Sequence, residues 1–460
     1  MFRLFAVFVV SVAAVAVPAS AEEDRHVLLI SIDGFPAYLF DDPRASIPVL
    51  RELAASGTVA KGGMQVSNPT ITWPNHASMV TGTHPIKHSM VLNAKVHRHG
   101  PNELTTLGRD LDKADLIAMP TIYDVVHAAG LSTAVSNWPA TRGADTITYN
   151  FPGGADRYEQ VRPPQLEREL AEIGVLDRKH WRGPGTSPTV RDEMYTRAAE
   201  HIIRTYKPRF MMVHLLNMDS THHNYGAQTP ASYNAAAYAD ACVRRVVQAL
   251  DDAGIRDRTT IIVASDHGFA TTHKEVRPNV ILRKAGLLAV EGTEPTGGRA
   301  HARAGGGRGW VYLLNPATRD ADRRQIQQLF EGVEGIAKVI GPDQFTQFGL
   351  PDPEQNAQLG DLWIIAEAGY AFSSQVDGDE ILVDTEPLGF HGYPADQEKM
   401  KAMFLASGPG IRQGAAIEGV QIIDIAPTIA ALFGIDMPTA DGRVLEAMLS
   451  GSARAPAPAE

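Results

Sequence analysis

The sequence predicts an α/β fold around a mostly parallel sheet, with a smaller subdomain inserted into it. Short β-branched apolar runs recur along the chain, helical patterns lie between many of them, and several runs end in polar residues. The runs are "HVLLISIDG" (26–34), "LSTAVSN" (131–137), "RFMMVHLLNMD" (209–219), "TTIIVASDHG" (259–268), "DLWIIAEAG" (361–369) and "AMFLASGP" (402–409). "TIYDVVHAAG" and "AAYADACVRRVVQALDDAG" have the helical period, and Gly254 closes the second as a helix C-terminus should. In such folds ligands gather at the carboxyl ends of the strands, and Asp33, Asp219, Asp266 and His267 stand there.

Residues 1–21, "MFRLFAVFVVSVAAVAVPASA", combine one Arg, an apolar run and a small-residue ending, so a cleaved signal peptide and export to the periplasm or beyond are expected. That run is too short to span a bilayer, and no later one is long and apolar enough, so no stable membrane anchor is expected. The main domain is expected over 22–450, and 451–460, "GSARAPAPAE", as a disordered tail.

Two regions interrupt the α/β pattern. Residues 151–190 are rich in Pro, Gly and charge; residues 271–360 carry "GGRAHARAGGGRGW", "VYLLNP" and the helical "DADRRQIQQLF". The second is expected to be the inserted subdomain, within 271–385. Its glycine run lacks the Gly-Lys-Ser/Thr of a phosphate cradle and is expected to be a mobile connector.

The chain has 460 residues, 44% hydrophobic and 21% charged, with a formal charge of -11 and no basic run. Binding of polymeric nucleic acid is therefore not expected, and a small anionic substrate would need a local positive charge, most simply a metal. The single cysteine, Cys242, excludes an intrachain disulfide and has core spacing with Val246 and Leu250.

One Asp or His is usually a hydrogen-bonded structural residue, but six stand in suggestive positions. Asp219 and His223 are four apart, so both can converge on one ion from a helical turn; Asp266 and His267 are adjacent at a strand end; His391 lies in the glycine-flanked turn "GFHGYP". With Asp33 they make three carboxylates and three imidazoles, enough for two zinc-like sites that keep open positions. Of "SNPTITWPNH" (67–76), a threonine at the following helix's start is either a nucleophile or only its cap.

The ordered motifs "SIDG", "PTITWPNHASMVTGTHPIKHSMVLN", "DSTHHNYG", "SDHG" and "HGYPADQEKMKAMFLASGPG", with the ending "QIIDIAPTIAALFGIDMPTADGRVL", resemble those of the nucleotide pyrophosphatase/phosphodiesterase branch of the alkaline phosphatase superfamily. The resemblance implies an alkaline phosphatase-like three-layer sandwich and two divalent ions, zinc by preference. It implies Thr72, and not Thr70, as nucleophile and metal ligand, with Asp33, Asp266 and His267 on the same ion and Asp219, His223 and His391 on the second. Asn93 would donate to a phosphoryl oxygen and Trp73 would line the substrate pocket. His76, His88 and His222 are left outside the ligand set, and Tyr149 and Tyr158 are only candidate stacking partners.

The implied activity is cleavage of a small phosphate diester or a nucleotide pyrophosphate through a phosphothreonine. "SNWPATRGA" offers "WP", as the diesterase branch does, and no lysine, where the related threonine-using alkaline phosphatases place a Lys and an Arg; the resemblance therefore favours diesters over monoesters, with Arg142 leaving the question open. A phosphonoacetate hydrolase, a phosphomonoesterase and a catalytically silent metal-binding surface protein remain the alternatives; a sulfatase is disfavoured because no Cys/Ser-x-Pro-x-Arg motif is present.

Overall fold

The computed structural model describes residues 24–152, 160–176 and 187–451. The expected signal peptide, Tyr158 and all of the expected tail except Gly451 lie outside the described residues. Among the described residues no helix is long and apolar enough to cross a membrane.

Eight strands form the central sheet, numbered in chain order: β1 (His26–Ile32), β2 (Gly57–Ala60), β3 (Thr133–Ser136), β4 (Tyr149–Phe151), β5 (Phe210–Leu215), β6 (Thr259–Ala264), β7 (Phe404–Ser407) and β8 (Ala415–Ile417). Their spatial order is β8-β2-β7-β6-β1-β5-β3-β4. β1 lies at the middle, parallel to β5 and β6, with Leu29 in register with Met212 on one side and Ile262 on the other. Such strands are apolar on both faces because helices cover both faces of the sheet. β7 alone runs against its neighbours β6 and β2.

The two faces of β1 divide the core. Leu28, Ile30 and Ile32 pack with Leu50, Leu170, Tyr195, Ala198 and Val243 from helices Pro48–Ala55, Pro164–Glu172, Pro188–Tyr206 and Pro230–Asp252. Val27 and Leu29 pack with Met79, Val126 and Ile429 from helices Thr72–Thr81, Ile122–Ala128 and Ile425–Leu432. Helix, sheet and helix make the three layers. Cys242 is buried in the first of these cores.

Residues 270–390 add further sheets. Ala300–Gly305, Arg308–Leu313, Leu362–Ala366 and Ile336–Ile340 form an antiparallel sheet in that order, and Ala270–Val276 pairs with Tyr370–Phe372 and Leu382–Phe390. The run "DLWIIAEAG" thus belongs to this sheet and not to the parallel one. Its strand is buried throughout, and a short apolar run does not declare which sheet it joins.

The glycine-rich segment is not a connector but the hairpin of residues 300–313. Its glycines serve close packing: a Cβ on Gly307 would stand 2.3 Å from the ring of Tyr393.

Candidate active site

Three adjacent strands deliver most of the site. Asp33 follows β1; Asp219 and His223 lie one turn apart on helix Asn217–Tyr225, which follows β5; Asp266 and His267 follow β6. The turn after β1 is tight: Gly34 has φ +66°, and a Cβ there would stand 2.6 Å from the Phe269 ring and 3.3 Å from Asp219 Cα. His391 arrives from the other sheets, directly after strand Leu382–Phe390.

These six residues fall into two abutting groups. His267 Nε2 lies 3.3 Å from Asp33 Oδ1 and 3.3 Å from Asp266 Oδ2. Asp219 Oδ1 lies 3.4 Å from His223 Nε2 and 3.6 Å from His391 Nε2. The His267 and His391 rings stack with centroids 3.8 Å apart where the groups meet, and Asp219, His267 and His391 also fall within ligating distance of one another.

The donor atoms fit divalent cations. Asp33 Oδ1, Asp266 Oδ2, His267 Nε2 and Asp219 Oδ1 are buried and find no hydrogen-bond partner. Each such atom costs about 1–3 kcal/mol, so four of them converging need a common compensation. A tetrahedral ion with bonds of ~2.0 Å holds its donors ~3.3 Å apart, close to the separations here. The other ring nitrogens are already engaged: Nδ1 of His267 donates to the Gly268 carbonyl at 3.1 Å, that of His223 to Gly389 at 2.9 Å and that of His391 to Thr70 at 2.7 Å. In each neutral ring this leaves the Nε2 lone pair facing the site, the usual outer support of a metal-binding histidine.

Without cations the electrostatics conflict. Burial, with Asp266 and Asp219 nearby, pushes the Asp33 carboxyl well above its ordinary range. Burial and the neighbouring His267 and His223 hold His391 well below its ordinary value. Asp219 stays below the usual carboxylate range despite its burial because His223 and His391 face it. Positive charge placed between the groups removes the carboxylate repulsion.

The candidate nucleophile stands at the edge of these groups. Helix Thr72–Thr81 starts at Thr72, while its N-cap is Ile71, without a side-chain capping bond. Thr72 is therefore not the cap, and its hydroxyl is not committed to that role. The loop before it is held by buried Asn75, whose Oδ1 accepts from Ser67 N at 2.7 Å and whose Nδ2 donates to the carbonyls of Pro69 (3.0 Å) and Ile71 (3.1 Å). Thr70 is buried and structural, donating to the Tyr393 carbonyl at 2.7 Å. Asn93 Oδ1 accepts from Trp73 N at 2.8 Å, which leaves its amide N–H groups as donors. Thr72, half-buried Trp73, Asn93 and Asp33 line one cleft of 280 Å³.

The remaining candidates separate. His222 bonds Ser232 Oγ at 2.7 Å and His88 bonds Ser78 Oγ at 2.9 Å, and neither joins the ligand groups. His76 packs behind the first group, its Nδ1 2.8 Å from the Thr72 carbonyl and 3.5 Å from Asp266 Oδ2. Tyr149 stacks on Tyr206 at 4.0 Å and does not line the cleft. Arg142 is paired with Asp112 at 2.7 Å and is not among the lining residues.

Sequence reasoning missed three residues. His214, on β5, reaches Asp33 Oδ2 at 3.2 Å; Asn137, at φ 59°, donates to the His214 carbonyl at 2.9 Å; Arg191 lines the cleft. Asn137 had a signal in its position at the end of a predicted strand, the same signal that singled out Asp33, whereas His214 lies inside its apolar run and had none.

Gly307 ties the glycine-rich hairpin to this site, since its N–H donates to the His391 carbonyl at 2.8 Å. Gly307→Ala forces the Tyr393 ring or the His391 turn to move. It is expected to cost roughly 1–3 kcal/mol by chemical denaturation, with activity falling further than stability alone explains. Unchanged unfolding midpoint and activity would show that the contact is not tight.

The model of the family described as type I phosphodiesterase / nucleotide pyrophosphatase matches residues 27–394. The chain belongs to that family. Its relatives include an uncharacterised pyrophosphatase/phosphodiesterase of Schizosaccharomyces pombe, 24% identical over 408 residues that make up 84% of this chain and 72% of that protein. Human ectonucleotide pyrophosphatase/phosphodiesterase family member 1 is 26% identical over 414 residues, 86% of this chain and 39% of that protein. The chain also spans 56% of ectonucleotide pyrophosphatase/phosphodiesterase 1 of Saccharomyces cerevisiae, so it covers only part of the length of several relatives. Murine ectonucleotide pyrophosphatase / phosphodiesterase 5 superposes with a TM-score of 0.67 at 17% identity over 93% of this chain and 100% of that one. An inactive Thr→Ala variant of that murine protein, in complex with AMP, superposes with a TM-score of 0.68. The match supports the alkaline phosphatase-like three-layer fold.

Proposed function

We propose that this protein hydrolyses phosphodiester or pyrophosphate bonds of small nucleotide-type substrates, using Thr72 as nucleophile and two divalent ions, zinc by preference. The observation that carries the proposal is the pair of ligand groups, with unpartnered donor atoms, in a site that adjoins Thr72 and Asn93. Bound there, the ions would supply Lewis-acid stabilisation of anionic oxygens on both sides of an in-line displacement. Asp33, Asp266 and His267 would hold one ion, with Thr72, and Asp219, His223 and His391 the other.

Thr72 presents an uncommitted hydroxyl at a helix N-terminus, where the dipole favours an alkoxide. It attacks phosphorus, the leaving alcohol or phosphate departs, and water then cleaves the phosphothreonine. The amide of Asn93, fixed by Trp73 N, donates to a non-bridging oxygen as charge builds on it. Trp73 offers an apolar face to the substrate. The murine structure with AMP supports a nucleotide-type substrate here, and the inactive Thr→Ala form of that protein supports the role of Thr72. Export by the N-terminal segment is part of the same proposal.

The test is the ratio of kcat/KM for bis(4-nitrophenyl) phosphate and 4-nitrophenyl phosphate on zinc-loaded protein. The diester should be favoured about tenfold or more, and chelation should silence both reactions. A monoester preference would overturn the diesterase reading, and activity untouched by chelation would overturn the metal reading.

A further inference from the structure

The cleft that holds Thr72 also holds a cation with no assigned work. Arg191 lines it together with Asn137, Pro139, Pro152, Tyr195, Leu216 and Ser220. Its Nε is buried without a hydrogen-bond partner, and among the described residues its side chain makes no ion pair. The other arginines of helix Pro188–Tyr206 are engaged: Arg197 donates to the carbonyls of Ile173 and Gly174, and Arg204 pairs with Asp252 at 2.9 Å. The neighbouring Asp192 does not neutralise Arg191 by contact, because its two oxygens accept from Leu216 N (2.8 Å) and Asn217 N (2.9 Å). Those two bonds clamp the start of the Arg191 helix to the start of the helix that carries Asp219 and His223. Arg191 is thus fixed relative to the ligand groups.

Its placement says what it can read. Thr72 comes from a helix on one face of the central sheet, with Met79 and Val80 in that core; Arg191 comes from a helix on the other face, with Met194 and Tyr195 in the opposite core. They enter the cleft from helices on opposite faces of the sheet, and in the proposed reaction the oxygens at the scissile phosphorus fall to Asn93 and the ligand groups, which leaves Arg191 for another oxyanion. The lining also offers Pro139, Pro152 and Leu216, and its second aromatic, Tyr195, is fully buried. An unpaired guanidinium lining a cleft selects an oxyanion, and its planar fork suits phosphate or carboxylate equally.

We propose that Arg191 is a specificity residue that receives a second anionic group, phosphate or carboxylate, on the half of the substrate transferred to Thr72. This rests on the hydrolase reading above and narrows the substrate class to diesters or pyrophosphates bearing a further negative charge beyond the scissile phosphorus.

The test uses 4-nitrophenyl phosphodiesters whose second arm is ethyl, 2-carboxyethyl or 2-phosphoethyl, with 4-nitrophenyl phosphate as the fourth substrate. The zinc-loaded protein should favour the charged arms, and the better of the two names the anion. Arg191→Gln should lower kcat/KM for that arm by ~10–100-fold, mainly through KM, with Arg191→Lys recovering part of it and the ethyl ester changing little. An equal loss on all four substrates, or a loss confined to 4-nitrophenyl phosphate, would overturn the proposal. Calorimetric binding of the same diesters to Thr72→Ala protein, with and without Arg191→Gln, separates the two readings. Wild-type protein that hydrolyses none of the esters sinks the hydrolase reading, while affinity for the charged arm that still depends on Arg191 keeps the specificity role. Affinity indifferent to Arg191 removes that role whatever the turnover.

Discussion

Thr72→Ala is expected to remove turnover of a nitrophenyl diester by on the order of 10⁴-fold or more, while fold and metal content stay as in the wild type. The two halves of that expectation have separate causes. Ile71, and not Thr72, is the N-cap of the helix, and no capping bond involves the threonine side chain, so its removal should cost within about 0.5 kcal/mol. The loop itself is held by Asn75 and Thr70, which the substitution leaves alone. The ligand atoms supplied by Asp33, Asp266 and His267 are likewise untouched. Thr72→Ser keeps a hydroxyl at the same place and should retain measurable activity. Circular dichroism, elemental analysis and single-turnover kinetics on one preparation check all three points. Undiminished turnover in the alanine variant would move the nucleophile elsewhere, whereas a lost metal or a large drop in stability would show that the side chain supports the site.

The central sheet was legible because its strands are buried on both faces, and a chain writes such strands as unbroken apolar runs ending in polar residues. Asp33, Asp266 and His267 could be singled out for that reason, and Asp219 with His223 because four residues make one helical turn. What sequence order does not carry is orientation and partnership. β7 reads like any other buried strand yet runs antiparallel, and Leu362–Ala366 reads the same way yet belongs to another sheet. The glycine run looked mobile because glycine permits any backbone; in the fold the same residues are small so that Tyr393 can pack close.

The cleft shows the same limit. Arg142 lay near a motif and proved to be held by Asp112, whereas Arg191 lay in an unpromising stretch and proved to line the cleft. Nothing in the order of residues says which arginine finds a carboxylate. Likewise, His214 was one residue in an apolar run until the parallel pairing of β1 with β5 set it beside Asp33.

His391→Ala is expected to release one of two tightly bound divalent ions. His391 and His223 both face Asp219 Oδ1, at 3.6 Å and 3.4 Å, so removing His391 leaves that group with one carboxylate and one imidazole. Structural and catalytic zinc sites need three or four protein donors, and losing even a supporting contact typically costs ~10–100-fold in affinity; losing a direct donor should cost at least that. The first group keeps its three donors, so its ion should remain, and elemental analysis after dialysis should fall from two equivalents to one. The substitution also removes the Nδ1 bond to the Thr70 carbonyl, which ties the second group to the nucleophile loop. Activity should therefore fall even when excess zinc restores occupancy. His222→Ala is the control for a nearby imidazole, because the Nε2 of His222 is engaged by Ser232 and the ring belongs to neither group; it should retain both ions. Two ions held tightly by the His391 variant would dissolve the second group as drawn. Loss of both ions would instead show that the stacked His267 and His391 rings make the two sites one cooperative unit.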